Sequence, residues 1–154
     1  MSPTVTRAAE PCAVGQTLYV NMSDPQFTAG FRAIPKYEGW LTALALYVHS
    51  ANTDRTLWFL LDQGNSTRMR LVSTTDIDAV GWMPPGADAG TRPLGDLDFL
   101  AANAEFQFFY ELPKENKDAP EYVLIPALTD VLWYANEPRE RAPLAFFKLS
   151  DCRE

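Results

Sequence analysis

The chain has 154 residues, 47% of them hydrophobic, 12% aromatic and 21% charged, a composition that suits one globular domain and excludes a disordered tract. The formal net charge is −7, and the densest basic stretch, Arg139 to Arg141, is interrupted by Glu140. Nucleic-acid backbones and anionic membranes both require a basic patch, so neither is expected as a partner. No segment reaches the ~18 consecutive apolar residues of a membrane span, and Met1 to Pro11 holds no apolar signal-peptide core.

Residues 1–15 read as an extended lead-in punctuated by Pro3, Pro11 and Gly15, followed by a single β-rich domain over residues 16–154. Thr17 to Met22 is a short β-rich run, and Asp24-Pro25 predicts a turn or the start of a short helix. Pro35 and Gly39 bracket a loop. Trp40 to Ser50 fits a strand or a helical face; the turn cluster Asn52-Thr53-Asp54 and the run Thr56 to Leu61 favour the strand, as half of a hairpin. After a turn at 62–66, Thr67 to Thr74 alternates, with Met69 and Leu71 on one face and Arg68, Arg70 and Val72 on the other.

Phe99 to Leu112 carries the strongest alternation. Ala104, Phe106, Phe108, Tyr110 and Leu112 share one parity, and Asn103, Glu105, Gln107 and Glu111 the other, which predicts a long strand. Tyr122 to Ile125 begins a return strand, Ala127 to Ala135 is a short helix or a strand, and Leu144 to Leu149 is the last strand. Strands joined by short polar turns, without alternating long helices, argue against a parallel α/β sheet. The expected fold is therefore mainly β: an antiparallel β-sandwich or bent meander sheet with one or two short helices, with a small α+β domain as the alternative.

Residues 76–98 stand apart as a long connection with three prolines, four glycines and five aspartates. Connections of this length without structure of their own are uncommon and often functional. Trp82 either anchors the loop to its own domain or meets a partner, and Pro84-Pro85 would lower the entropy cost of presenting it. The candidate partner-binding residues are Asp76, Asp78, Trp82, Met83, Asp88, Asp96 and Asp98. Most aromatics in strand-like runs are expected in the core. In Phe108-Phe109, however, the two rings cannot face one side of a strand, so one must meet a covering layer or a partner.

Chemistry is sparse. His49 is the only histidine and reads as a hydrogen-bonded structural residue. One histidine and two cysteines fall short of the four ligands of a structural zinc site. Asp76-Ile77-Asp78 and Asp96-Leu97-Asp98 lack the rest of a calcium loop and read as solvated acids. No phosphate loop or nucleophile elbow is present. Cys12 and Cys152 lie near opposite ends of the chain, and a bridge between them would close a loop worth about 4–5 kcal/mol in the chain-entropy model. Such a bond persists in an oxidising compartment, which implies a periplasmic or secreted protein whose signal has been removed; a cytoplasmic protein is the alternative.

The expectation is a non-enzymatic protein-binding domain without cofactor, metal or membrane insertion, binding a protein partner that is basic. One form is an exported inhibitor or immunity-type protein that blocks a toxin or hydrolase by inserting the acidic Trp-bearing loop. The alternatives are a carbohydrate- or small-ligand-binding β-sandwich module using Trp40, Trp82 or Trp133 as a platform, and a hydrolase with an unrecognised carboxylate pair.

Overall fold

The computed structural model describes residues 13–64, 66–86, 91–115, 117–135 and 137–152. Eight antiparallel strands follow one another around a closed barrel: β1 (Thr17–Asn21), β2 (Phe27–Ala33), β3 (Leu44–Ser50), β4 (Arg55–Gln63), β5 (Met69–Thr74), β6 (Asp96–Ala102), β7 (Tyr122–Leu124) and β8 (Phe147–Cys152). Each strand pairs with the next, and β8 returns to β1, with Asn21 opposite Phe147 and Thr17 opposite Cys152. The mainly antiparallel β expectation holds. The two-layer sandwich is not what forms, because β8 occupies the free edge of β1 and closes the sheet on itself, leaving neither strand as an edge.

Period-two alternation fills the barrel. Tyr19, Phe27, Phe31, Leu46, Phe59, Leu71, Phe99 and Phe147 are buried in one continuous core, as expected for eight strands, whose interior is just wide enough to be packed with side chains. Tyr19 keeps its polar end satisfied by donating its hydroxyl to the Pro120 carbonyl at 2.7 Å, and burial pushes its phenol pKa far up, with Glu121 adding to the effect.

One end of the barrel is covered by the single short helix among the described residues, α1 (Leu128–Tyr134), which resolves the helix-or-strand ambiguity at 127–135. Leu128 and Leu132, one turn apart, face the core. The returning chain is latched by Glu140, which is buried and accepts hydrogen bonds from the Ser50 hydroxyl and, at 3.1 Å, from the Thr53 hydroxyl, while its N–H donates to the Leu132 carbonyl.

The turn expected at Asp24-Pro25 forms, with the Asn21 side chain accepting from the N–H groups of Ser23 and Asp24, and the strand Phe27–Ala33, to which the sequence reading assigns no element, follows it. Two local expectations are corrected. The last strand begins at Phe147, not Leu144. The long strand over 99–112 is broken at Asn103. Its Oδ1 accepts from the N–H groups of both Glu105 and Gln107, and the chain folds back so that Phe108 bridges Ala102. A side chain that satisfies local backbone donors competes with the ladder and here wins over the alternation.

Candidate protein-binding face

Several exposed apolar side chains gather beside the outer wall of β6, β7 and β8, whose own Ala102 and Tyr122 are buried. Leu100 pairs with Leu124, Ala102 with Tyr122, and Tyr122 with Lys148 across the wall. The reversal at Asn103 swings Phe106 back onto this surface. Its ring stacks on Tyr122 with centroids 4.6 Å apart and lies 5.9 Å from Phe146, which itself meets Tyr122 at 5.5 Å. Met22 joins from the neighbouring turn through a 2.9 Å bond from its N–H to the Phe146 carbonyl.

Ala102 and Tyr122 are buried, whereas the residues of the reversal and its neighbours are exposed. Phe106 is 53% exposed, Phe108 46% and Tyr110 70%, with Met22 and Leu144 also exposed. The expectation that these ring-bearing residues belong to the core is corrected for Phe106, Phe108, Phe109 and Tyr110, because the Asn103 reversal takes them off the strand. Phe106 also sits at φ +62°, a left-handed conformation that costs a large side chain on the order of 1–3 kcal/mol. The Asn103 hydrogen bonds and the stack on Tyr122 hold it there. Single exposed apolar residues are ordinary, whereas Phe106, Tyr122 and Phe146 form a contiguous aromatic group, which makes this face a candidate site.

Between residues 98 and 124 the sequence holds six acidic residues (Asp98, Glu105, Glu111, Glu115, Asp118 and Glu121) against two basic ones (Lys114 and Lys117), while Lys148 stands on the wall itself opposite Tyr122. Asp98 is engaged by Arg68, at 2.5 and 3.0 Å, and this contact raises the Arg68 pKa. Glu105 and Glu111 are exposed.

The residues of the central connection lie elsewhere. The chain from Thr75 onward runs as a strap across the outside of the barrel. Trp82 is half-buried, donates its indole N–H to the Thr74 hydroxyl at 3.0 Å and meets Tyr37 edge to face at 5.6 Å. Asp78 takes Arg32 in a two-bond fork at 2.7 and 2.5 Å, which holds its carboxyl below the usual aspartate range and raises the guanidinium. Asp76 accepts the Asp78 N–H within the strap's own turn. Ala45, Leu60 and Val72, outward-facing register neighbours on β3, β4 and β5, are nonetheless buried. Met83 and Val80 are exposed at the strap's outer side.

Asp96 and Asp98 belong to β6 rather than the loop, and Asp96 is paired with Arg92 at 3.2 Å. Asp88 and Cys12 lie outside the described residues. The structure thus brings Asp76, Asp78 and Trp82 together against the wall and places Asp96 and Asp98 on a strand. Two of the tryptophans expected to offer a platform are engaged: Trp82 as above, and Trp133 by the guanidinium groups of Arg141 and Arg139 at 4.5 and 5.7 Å.

His49 faces Thr56, with Nδ1 2.9 Å from the hydroxyl, and its Nε2 lies 3.5 Å from Asp54. Among the described residues no group of three or more His, Cys, Asp or Glu side chains is placed to hold a metal ion, and no helix is long and apolar enough to cross a membrane. The aromatic face was missed because strand parity assigned Phe106 and Phe108 to the core; the one pointer was the doubled ring at 108–109, which cannot be buried on one side of a strand. No protein-family model, curated protein or solved structure matches the chain.

Proposed function

We propose that this chain is a non-enzymatic protein-binding domain that docks a basic partner protein on the apolar wall around Phe106. The observation that carries the reading is Phe106 itself, a half-exposed aromatic held in a left-handed conformation on top of Tyr122. The core is packed with side chains along the barrel, which supports recognition by the outer surface over enclosure of a ligand. The acidic surroundings and the net charge of −7 favour a partner with an apolar centre and a rim of Lys and Arg. The strap fits the same scheme as a second contact, with Val80 and Met83 offered outward while Trp82 anchors it.

An exported inhibitor or immunity-type role remains the concrete form we favour. It requires the Cys12–Cys152 bridge; the β1–β8 seam supports it by bringing Cys152 opposite Thr17, five positions after Cys12. A mass measurement under non-reducing conditions tests it, and two free thiols after oxidising preparation would remove the argument for export.

The docking face is tested by placing a photo-crosslinking phenylalanine at position 108, or at Val80 as a comparison, in the cells of origin. The expected product from position 108 is one basic protein. Its purified form should bind Phe106→Ser and Tyr110→Ser at least about tenfold more weakly, since a central aromatic anchor is worth roughly 2 kcal/mol or more. A partner captured only from position 80 would move the site to the strap, and no product from either position would count against protein binding.

A further inference from the structure

A second surface on the opposite side of the barrel has the construction of a small-ligand site. On β2 the outward positions are Thr28, Gly30 and Arg32. Gly30 lies opposite Tyr47 on β3, with the Thr17 carbonyl of β1 close by. A Cβ at Gly30 would stand 2.6 Å from the Tyr47 hydroxyl oxygen, 2.8 Å from its Cε1 and 2.5 Å from the Thr17 carbonyl. Only glycine therefore lets the Tyr47 ring lie down across β2, in the middle of a strand where glycine is otherwise unfavourable.

The next ring along the register, Trp58, meets Tyr47 at 62° with centroids 5.7 Å apart, so one ring forms a floor and the other a wall. Together they border a groove of about 440 Å³ on what would otherwise be a convex barrel surface. Thr28, His49 and Thr56 line its opposite side in a single row of register partners.

We propose that this groove binds a neutral saccharide of one or two pyranose units. Its size falls within the range of ligand pockets. Aromatic faces suit the C–H faces of a sugar ring, while the hydroxyls of Thr28 and Thr56, the latter already sharing one hydrogen bond with His49 Nδ1, supply hydrogen-bonding groups beside them. Charge decides against an anionic ligand. Arg32, the one guanidinium in the groove, has both terminal nitrogens committed to Asp78 and its flat side 5.5 Å from the Trp58 ring, so it closes the groove without offering an unbalanced charge. The site is separate from the Phe106 face and stands or falls independently of protein docking.

The test is a two-dimensional amide NMR titration of the whole chain with methyl glycosides of glucose, galactose, mannose and N-acetylglucosamine, their disaccharides, and glucuronate as a charged control. At least one neutral sugar should shift resonances of the outward residues of β2, β3 and β4 saturably. Tyr47→Ala and Trp58→Ala should each weaken that binding about tenfold or more while the remaining spectrum stays dispersed. Thr56→Ala provides a milder variant, expected to weaken it about threefold to tenfold, that keeps the test valid if an aromatic variant unfolds. Shifts confined to other surfaces, equal binding of glucuronate, or no saturable shift with any sugar would overturn the proposal.

Discussion

Replacing Trp82 separates the two roles a loop tryptophan can have. In Trp82→Ala the indole loses its 3.0 Å hydrogen bond to Thr74 and its edge contact with Tyr37. A hydrogen bond of this kind contributes about 1 kcal/mol and an edge-to-face pair about 0.5–1.5 kcal/mol, so the strap should loosen by roughly 1.5–2.5 kcal/mol. Amide hydrogen exchange is the direct assay, because the strap can open without global unfolding. Protection should fall by about 10- to 70-fold over residues 77–83 and around Tyr37, with β1, β6 and β8 unaffected. Thr74→Val removes only the hydrogen bond and should reproduce about half of the free-energy loss; combined with Trp82→Phe it should add little, since both changes break the same bond. If exchange in the strap is unchanged while affinity for a partner collapses, Trp82 is a contact residue and the anchoring argument fails.

Two further outcomes follow from the same geometry. Glu140→Ala removes the acceptor shared by Ser50 and Thr53 and leaves the buried Ser50 hydroxyl without a partner; urea unfolding should show a loss of about 2–4 kcal/mol, with Glu140→Gln retaining part of it. The fork between Asp78 and Arg32 makes the strap acid-sensitive. A carboxyl held below its usual range contributes stability that is fully present above the unfolded pKa, near 3.9, and disappears as pH falls through the lower folded value. Strap exchange should therefore rise below about pH 4, and Asp78→Asn should loosen the strap at neutral pH and abolish that acid limb; an acid limb surviving in Asp78→Asn would place its origin at another carboxyl.

Much of this protein is determined by local pattern. Alternation over 44–50, 56–61 and 69–74 sufficed for the strands β3, β4 and β5 and for their inward faces, because a half-buried strand imposes period two on its side chains. The same pattern over Phe27, Ala29 and Phe31 was equally present in β2 but lay behind the Asp24-Pro25 turn signal. Closure was not legible, since the pairing of β8 with β1 joins residues over a hundred positions apart and a sandwich strand alternates just as a barrel strand does. Nor was the fate of the aromatic run at 106–110. Its parity says strand; one Asn103 carboxamide, bonded to two backbone N–H groups, turns it outward and makes a surface of what reads as core. The aspartates of the central loop could be counted but not assigned, because the arginines that hold Asp78 and Asp98 come from β2 and from the turn before β5. The sequence by itself determines an acidic, antiparallel β domain without an evident catalytic set. Which of its aromatic rings are buried and which are exposed is a tertiary decision, made where distant strands meet and where one glycine or one asparagine lets a ring lie against the wall.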